Sequence, residues 1–285
     1  MNKTAIITLS EPGFRVAKQL APAFPSAEIF LHESIPAPEG SATPFPAIIK
    51  LTAEIFHSFR ELVYIAPCGV VVRAIAPLIQ HKLSDPAVVA LDVGGRWAVS
   101  LLSGHEGGAN SLAITVANTL GAEPVISTTT EAVKRFIIGI GCRRGTSAET
   151  LIAAIREGAS LANISLEEVR YLASAELKAD ETGLLEASAQ LGIPLRFLAA
   201  EEILSTTKAF RHSDFVANKV KLPAVAEPSA LLAGRRTSLI LPKTIIRGTT
   251  IAIARENCLS LASAPAAPST EPTAPKPPSA PATSS

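Results

Sequence analysis

Two successive α/β units, the first Rossmann-like, followed by a disordered tail are the architecture this sequence predicts. Three observations carry that reading. Short apolar runs alternate with helical patterns through glycine-containing turns. The alternation restarts near residue 136, so residues 1–131 and 135–258 read as separate units of about 130 residues. Seven of the 22 prolines fall after residue 264, in a tail over residues 262–285 of Ala, Pro, Ser and Thr with one Glu and one Lys. Such a composition buries too little apolar surface to offset its ordering entropy.

The first unit opens with a strand over residues 4–9, a Ser-Glu-Pro-Gly turn and a helix carrying Phe14, Val16, Ala17 and Leu20. A second strand fits residues 27–31, and residues 35–46, with four prolines in twelve positions, read as loop. A helical pattern from Thr52 through Ile55, Phe56 and Phe59 leads to a strand at 62–65, whose Ala-Pro-Cys-Gly exit opens a helix over 70–79. Strands at 88–91 and 97–102 flank Asp92-Val93-Gly94-Gly95, a hairpin signature because paired glycines supply positive φ. The second hairpin strand enters Ser103-Gly104-His105-Glu106-Gly107-Gly108-Ala109-Asn110, then a helix to Leu120 and a strand at 124–127. In the second unit a strand at 136–140 runs into Gly141-Cys142-Arg143-Arg144-Gly145-Thr146 and a helix through Leu151, Ile152 and Ile155. Helices near 184–191 and 227–232, with strands at 195–198, near Leu239 and at 251–254, complete it.

Composition narrows the function. With 26 Lys+Arg against 25 Asp+Glu, 13 aromatic residues and no basic run longer than two, a nucleic-acid module is disfavoured, since those rely on clustered cations. The apolar runs fall far short of the ~20 residues of a membrane helix. The start of the chain is too briefly apolar for a signal peptide, so a cytoplasmic protein is expected. Cys68, Cys142 and Cys258 are scattered and odd in number, without metal or redox spacing.

The 103–110 loop is the sharpest local feature. Lying between a strand and a helix, it can offer backbone N–H groups and a positive helix end to an anion, and its three glycines permit close approach. His105 and Glu106 would add a general acid/base beside a carboxylate. The alternative is that the glycines serve only the turn while His105 faces solvent. Ala109 stands where a zinc protease helix would need its second histidine, and no Gly-x-Ser-x-Gly elbow is present. The second loop, Gly139-x-Gly141-x-x-x-Gly145, places Arg144 where a dinucleotide fingerprint needs glycine, so NAD(P) binding is disfavoured. Arg143 and Arg144 suit a carboxylate or phosphate, or form a solvated basic turn. Arg73, alone in an apolar helix, either snorkels to solvent or points into the cleft of the 103–110 loop. His32, His57, His81 and His212 read as surface or packing residues.

Taken together, four blocks resemble a known family. They are Gly69-Val70-Val71-Val72-Arg73-Ala74-Ile75-Ala76-Pro77-Leu78, Ser84-Asp85-Pro86-Ala87-Val88-Val89, residues 100–110, and Pro124-Val125-Ile126-Ser127-Thr128-Thr129. In this order they resemble the N-terminal domain of the CbiG family, the cobalt-precorrin-5A hydrolases of anaerobic cobalamin synthesis. The second unit is similar to that family's C-terminal domain, which also exists alone as CobE. That likeness rests on residues 139–145, Lys-Ala-Asp-Glu-Thr-Gly-Leu-Leu at 178–185, residues 225–232 and Lys243. Two departures stand out: Glu106 follows the loop histidine where the family commonly has an apolar residue, and the segment that longer members carry between the domains is missing.

The resemblance implies hydrolysis of the δ-lactone of a cobalt-containing tetrapyrrole with loss of acetaldehyde. The cobalt would be carried by the substrate, so neither a protein-borne metal nor another cofactor would be needed. Partners would be the tetrapyrrole and neighbouring enzymes of the pathway. Under this reading His105 and Glu106 are the catalytic candidates. Arg73, Ser103, Gly104, Gly107, Gly108, Asn110, Arg143, Arg144 and Glu227 are the substrate-binding candidates. A non-catalytic corrinoid-binding accessory protein is the alternative.

Overall fold

The computed structural model describes residues 3–209 and 224–257. The expected disordered tail, Cys258 and His212 lie outside the described residues. Two mixed sheets organise the chain, seven strands in the first and five in the second.

The first sheet contains β1 (Thr4–Thr8), β2 (Glu28–His32), β3 (Thr43–Phe45), β4 (Glu61–Ile65), β5 (Ala87–Leu91), β6 (Trp97–Leu102) and β7 (Glu123–Val125), in the order β3-β2-β1-β4-β5-β6-β7. The strands from β1 to β5 run parallel, as in a doubly wound fold. α1 (Glu11–Leu20) and α4 (Ala109–Leu120) cover one face through Ala17, Leu20, Leu112, Ala113 and Val116. α2 (Ile48–Ile55) and α3 (Cys68–Ile75) cover the other through Leu51, Ile55, Val71 and Ile75.

At β6 the direction reverses. Asp92 accepts hydrogen bonds from the amides of Gly94, Arg96 and Trp97, which closes the hairpin that sets β6 antiparallel to β5. α4 then leads to β7, which is parallel to β6. Because Leu102 pairs with Val88, the carboxyl end of β6 lies beside the start of β5, at the opposite end of the sheet from the exits of β1 and β4.

The second sheet has the order β10-β9-β8-β12-β11, with β8 (Phe136–Gly141), β9 (Val169–Ala175) and β10 (Leu195–Leu198) parallel and β12 (Thr249–Glu256) antiparallel to β8 and β11 (Thr237–Ile246). α6 (Ala148–Leu161) and α7 (Thr182–Leu191) pack on one face. α8 (Ala200–Ser205) and α9 (Ala226–Leu232) pack on the other, and the short α5 (Thr129–Ala132) joins the units. α9 approaches so closely that a Cβ on Gly139 would collide with the carbonyl of Ala226.

Several expectations from the sequence need correction. The expected loop at 35–46 contains β3, where Pro44 is tolerated because the strand lies at the sheet edge. α2 begins at Ile48, four residues before Thr52, and α3 ends at Ile75 in a 3-10 turn (Ala76–Leu78) whose Pro77 cannot continue the helix. The strand expected at 124–127 occupies Glu123–Val125. β9 was not expected at all, since Arg170, Ala173, Ser174 and Ala175 break the apolar run, yet all its residues except Arg170 are buried.

The units meet along α4. Ile114 and Ile126 join the core on the α9 face of the second sheet. The Asn118 side chain pairs with the open edge of β10 as a neighbouring strand would: Nδ2 donates to Leu195 O at 2.8 Å and Oδ1 accepts from Phe197 N at 3.1 Å. Buried Arg196 donates to Ala122 O at 3.2 Å from the same strand.

Candidate functional site

The 103–110 loop leaves the carboxyl end of β6, on the edge toward which β7 also runs, and so lies beside the amino ends of the parallel strands β4 and β5. Ser103 adopts φ 58°, a left-handed conformation that costs a non-glycine residue about 1–3 kcal/mol unless its surroundings impose it. They do so here. Ser103 is buried, its Oγ donates to Asp85 O at 3.1 Å, and its carbonyl accepts from Ala109 N at 3.1 Å. Gly104 O accepts from Asn110 N at 3.0 Å, drawing the loop into a closed ring. The ring forces Gly107 against Ser103, whose carbonyl oxygen would lie 2.8 Å from an added Cβ. Gly108, at φ 92°, turns the chain into α4.

This closure leaves the tip open. His105 and Glu106 are exposed, and among the described residues the amides of Gly104, His105, Gly107 and Gly108 donate to no backbone carbonyl. Free amides at the entry of a twelve-residue helix can stabilise developing negative charge. Glu106 is paired with Lys82, and that ammonium holds its carboxyl below the usual carboxylate range, which makes it a weak proton acceptor. Buried Asn110 accepts from Ser100 Oγ at 2.8 Å and donates to Thr128 Oγ1 at 2.9 Å. Its amide therefore ties the loop to β6 and to the exit of β7, a positioning task that occupies both of its polar atoms.

Arg73 is not brought to this loop. Its guanidinium donates back along its own helix to Gly69 O at 3.1 Å, toward the opposite end of the sheet. The outcome agrees with the solvent-facing alternative.

The turn after β8 is a different environment. Arg144 donates to Asp180 Oδ2 at 2.9 Å and to Leu177 O at 3.3 Å, and lies 3.5 Å from Glu181. Buried Glu181 accepts from Gly145 N at 3.0 Å and pairs with buried Lys178 at 3.2 Å. Burial pushes the nearby Cys142 thiol up. The adjoining open cavity of about 350 Å³ is lined by Arg144 together with Glu149, Asp180, Glu181 and Glu186, an acidic surrounding that disfavours an anion. Arg143 alone of the two arginines is exposed without an ion-pair partner among the described residues. Glu227 is buried and accepts from Lys243 N at 2.7 Å, joining α9 to β11. The glycines of the fingerprint-like run serve packing and turning, Gly139 against α9 and Gly145 at φ 76°.

Sequence reasoning missed Lys82, Asp85, Ser100 and Thr128, which build the first loop, and Lys178 and Glu181, which build the second. All of these except Lys82 lie in the blocks that carry the resemblance, the one signal that pointed toward them. Among the described residues no group of three or more His, Cys, Asp or Glu side chains is arranged to hold a metal ion, and no helix is long and apolar enough to cross a membrane.

Two family models match in sequence order: "Cobalamin synthesis G N-terminal" over residues 50–131 and "Cobalamin synthesis G C-terminus" over residues 136–254. A protein of Priestia megaterium named cobalt-precorrin-5A hydrolase is 25% identical over 352 positions, covering 88% of this chain and 94% of that protein. Those 352 positions exceed the 285 residues of the chain, so at least 67 of them face a gap here. A cobalt-precorrin-5A hydrolase of Salmonella typhimurium is 41% identical over 128 residues, 45% of this chain and 36% of that protein. Protein CobE of Sinorhizobium sp is 30% identical over 128 residues, 44% of this chain and 83% of that protein.

Proposed function

Because the chain belongs to the cobalamin synthesis G family, with the N-terminal and C-terminal parts in order, we propose that it hydrolyses the δ-lactone of cobalt-precorrin-5A, giving cobalt-precorrin-5B and acetaldehyde. The observation that carries this reading is the open tip of the 103–110 loop, where an exposed imidazole stands among unpaired amides.

Water adds to the lactone carbonyl, and the carbon–oxygen bond of the ring breaks, freeing a carboxylate and a hydroxyl on the bridging carbon. That hydroxyl becomes the aldehyde carbonyl as its carbon separates from the macrocycle. The bonding electron pair and a proton return to the macrocycle, so one water is consumed overall. His105 accepts the proton, and the loop amides stabilise the oxyanion. The cobalt belongs to the substrate, and Arg143, an exposed cation at the turn after β8, takes a peripheral carboxylate.

Incubating the full chain with cobalt-precorrin-5A and an aldehyde trap tests the reading, with stoichiometric acetaldehyde expected. The gap against the Priestia relative and the CobE match favour a second reading, a corrinoid-binding accessory protein. It would shift the substrate's spectrum and release no aldehyde.

A further inference from the structure

We propose that Lys82 is a carboxylate-binding residue of this site, and that Glu106 occupies it as an internal stand-in until a carboxylate of the ligand displaces it. The inference takes the ligand's class, a corrinoid polycarboxylate, from the reading above.

Lys82 is anchored at the loop although 24 residues separate it from Glu106. The Asp85 carboxylate accepts from Gln80 N at 3.0 and 3.2 Å, which closes the 80–85 turn. Asp85 O accepts from Ser103 Oγ, so this turn is fastened to the residue that begins the glycine-rich ring. The lysine is thereby held at the tip that carries His105.

The pair is built to open. The Lys82 side chain is 64% exposed and that of Glu106 38%, and ion pairs in such surroundings are weak. Glu106 stands between Gly107 and exposed His105, and the hydrogen bonds that hold buried Ser103 and Asn110 do not involve its side chain, so it can leave Lys82 without breaking them. Beside Lys82, Leu83 is 64% exposed and Ile79 44%, apolar surface next to a cation. A macrocycle rimmed with carboxylates needs that combination. One carboxylate leaving Lys82 as another arrives keeps the ammonium paired, while Glu106 turns its carboxylate to solvent.

The test is a double-mutant cycle on the full chain, read by spectral titration with cobalt-precorrin-5A, with cobyrinic acid as a free-carboxylate corrinoid, and with its fully amidated counterpart. Lys82→Met should weaken both carboxylate ligands about tenfold. Glu106→Gln should tighten them about threefold, and that gain should vanish in the double variant. The amidated corrinoid should respond to neither change. Weaker binding by Glu106→Gln, or a gain that survives Lys82→Met, overturns the stand-in. So does wild-type chain that binds none of the three. Absence of acetaldehyde alone would sink the hydrolase reading and leave the stand-in intact.

Discussion

The 103–110 loop and the turn at 143–146 look alike in sequence, each a strand leading through glycine to a helix with charged residues at the bend. In three dimensions they part. The first turns its committed groups inward, Ser103 and Asn110, and leaves His105 and the amides outside. The second has its amide and one guanidinium already matched, because Asp180 and Glu181 arrive from 36 residues away. The two differ in how firmly the fold's own anion is held: buried Glu181 backs the second turn, whereas Glu106 at the first loop is exposed.

The largest expected effect sets the two loops directly against each other. His105→Ala should lower acetaldehyde release by about 10²–10⁴-fold, the usual contribution of a general base, whereas Arg144→Ala should change it by less than about threefold. Comparable losses in both variants would put chemistry in the second turn. Next comes Glu181→Ala, which leaves Lys178 buried without its carboxylate and frees Gly145 N. A loss of about 3 kcal/mol in denaturant unfolding is expected, as for other half-removed buried pairs. Gly107→Ala should cost about 1–3 kcal/mol, because the new methyl meets the Ser103 carbonyl. A Gly108→Ala control probes the left-handed turn without that collision.

The smallest effect concerns the junction between units. Burial raises the carboxyl of Glu123, and Arg196 offsets only part of the rise. The folded state therefore binds this proton more tightly than the unfolded chain. Stability from this group is fullest below a pH of about 4.3 and declines as pH climbs from there to the raised folded value. Glu123→Gln should flatten that decline, a change of under about 1 kcal/mol, measured as midpoint shifts across the acid range. An unchanged slope would show that the carboxyl is solvated and that Arg196 is held by Asn118 and Ala122 alone.

Much of the fold was legible. β1, β4, β5 and β8 are buried along almost their whole length and read as apolar runs, and the Asp92-Val93-Gly94-Gly95 hairpin announced itself through its turn chemistry. β3 and β9 were not legible, one masked by its prolines and the other by small and charged residues that only its neighbours make comfortable. At the site the sequence marked the loop but not that Arg73, Arg144 and Asn110 each already bond to groups of the protein itself. It understated Lys82, a lone lysine whose position depends on two hydrogen bonds to Asp85 and one from Ser103.

By itself, then, the sequence determined the α/β alternation, the hairpin that reverses the sheet, the glycines that permit a closed ring, and the likeness to a family. These are local properties, written in periodicity, backbone freedom and short-range order. Tertiary structure decided which charges remain available. An ion pair spans 24 residues at the first loop and 36 at the second, and nothing in either segment alone states whether its partner will come. The physical reason is that a charge's availability depends on every group the fold brings within hydrogen-bonding reach, while a strand or a turn depends mainly on its own neighbours.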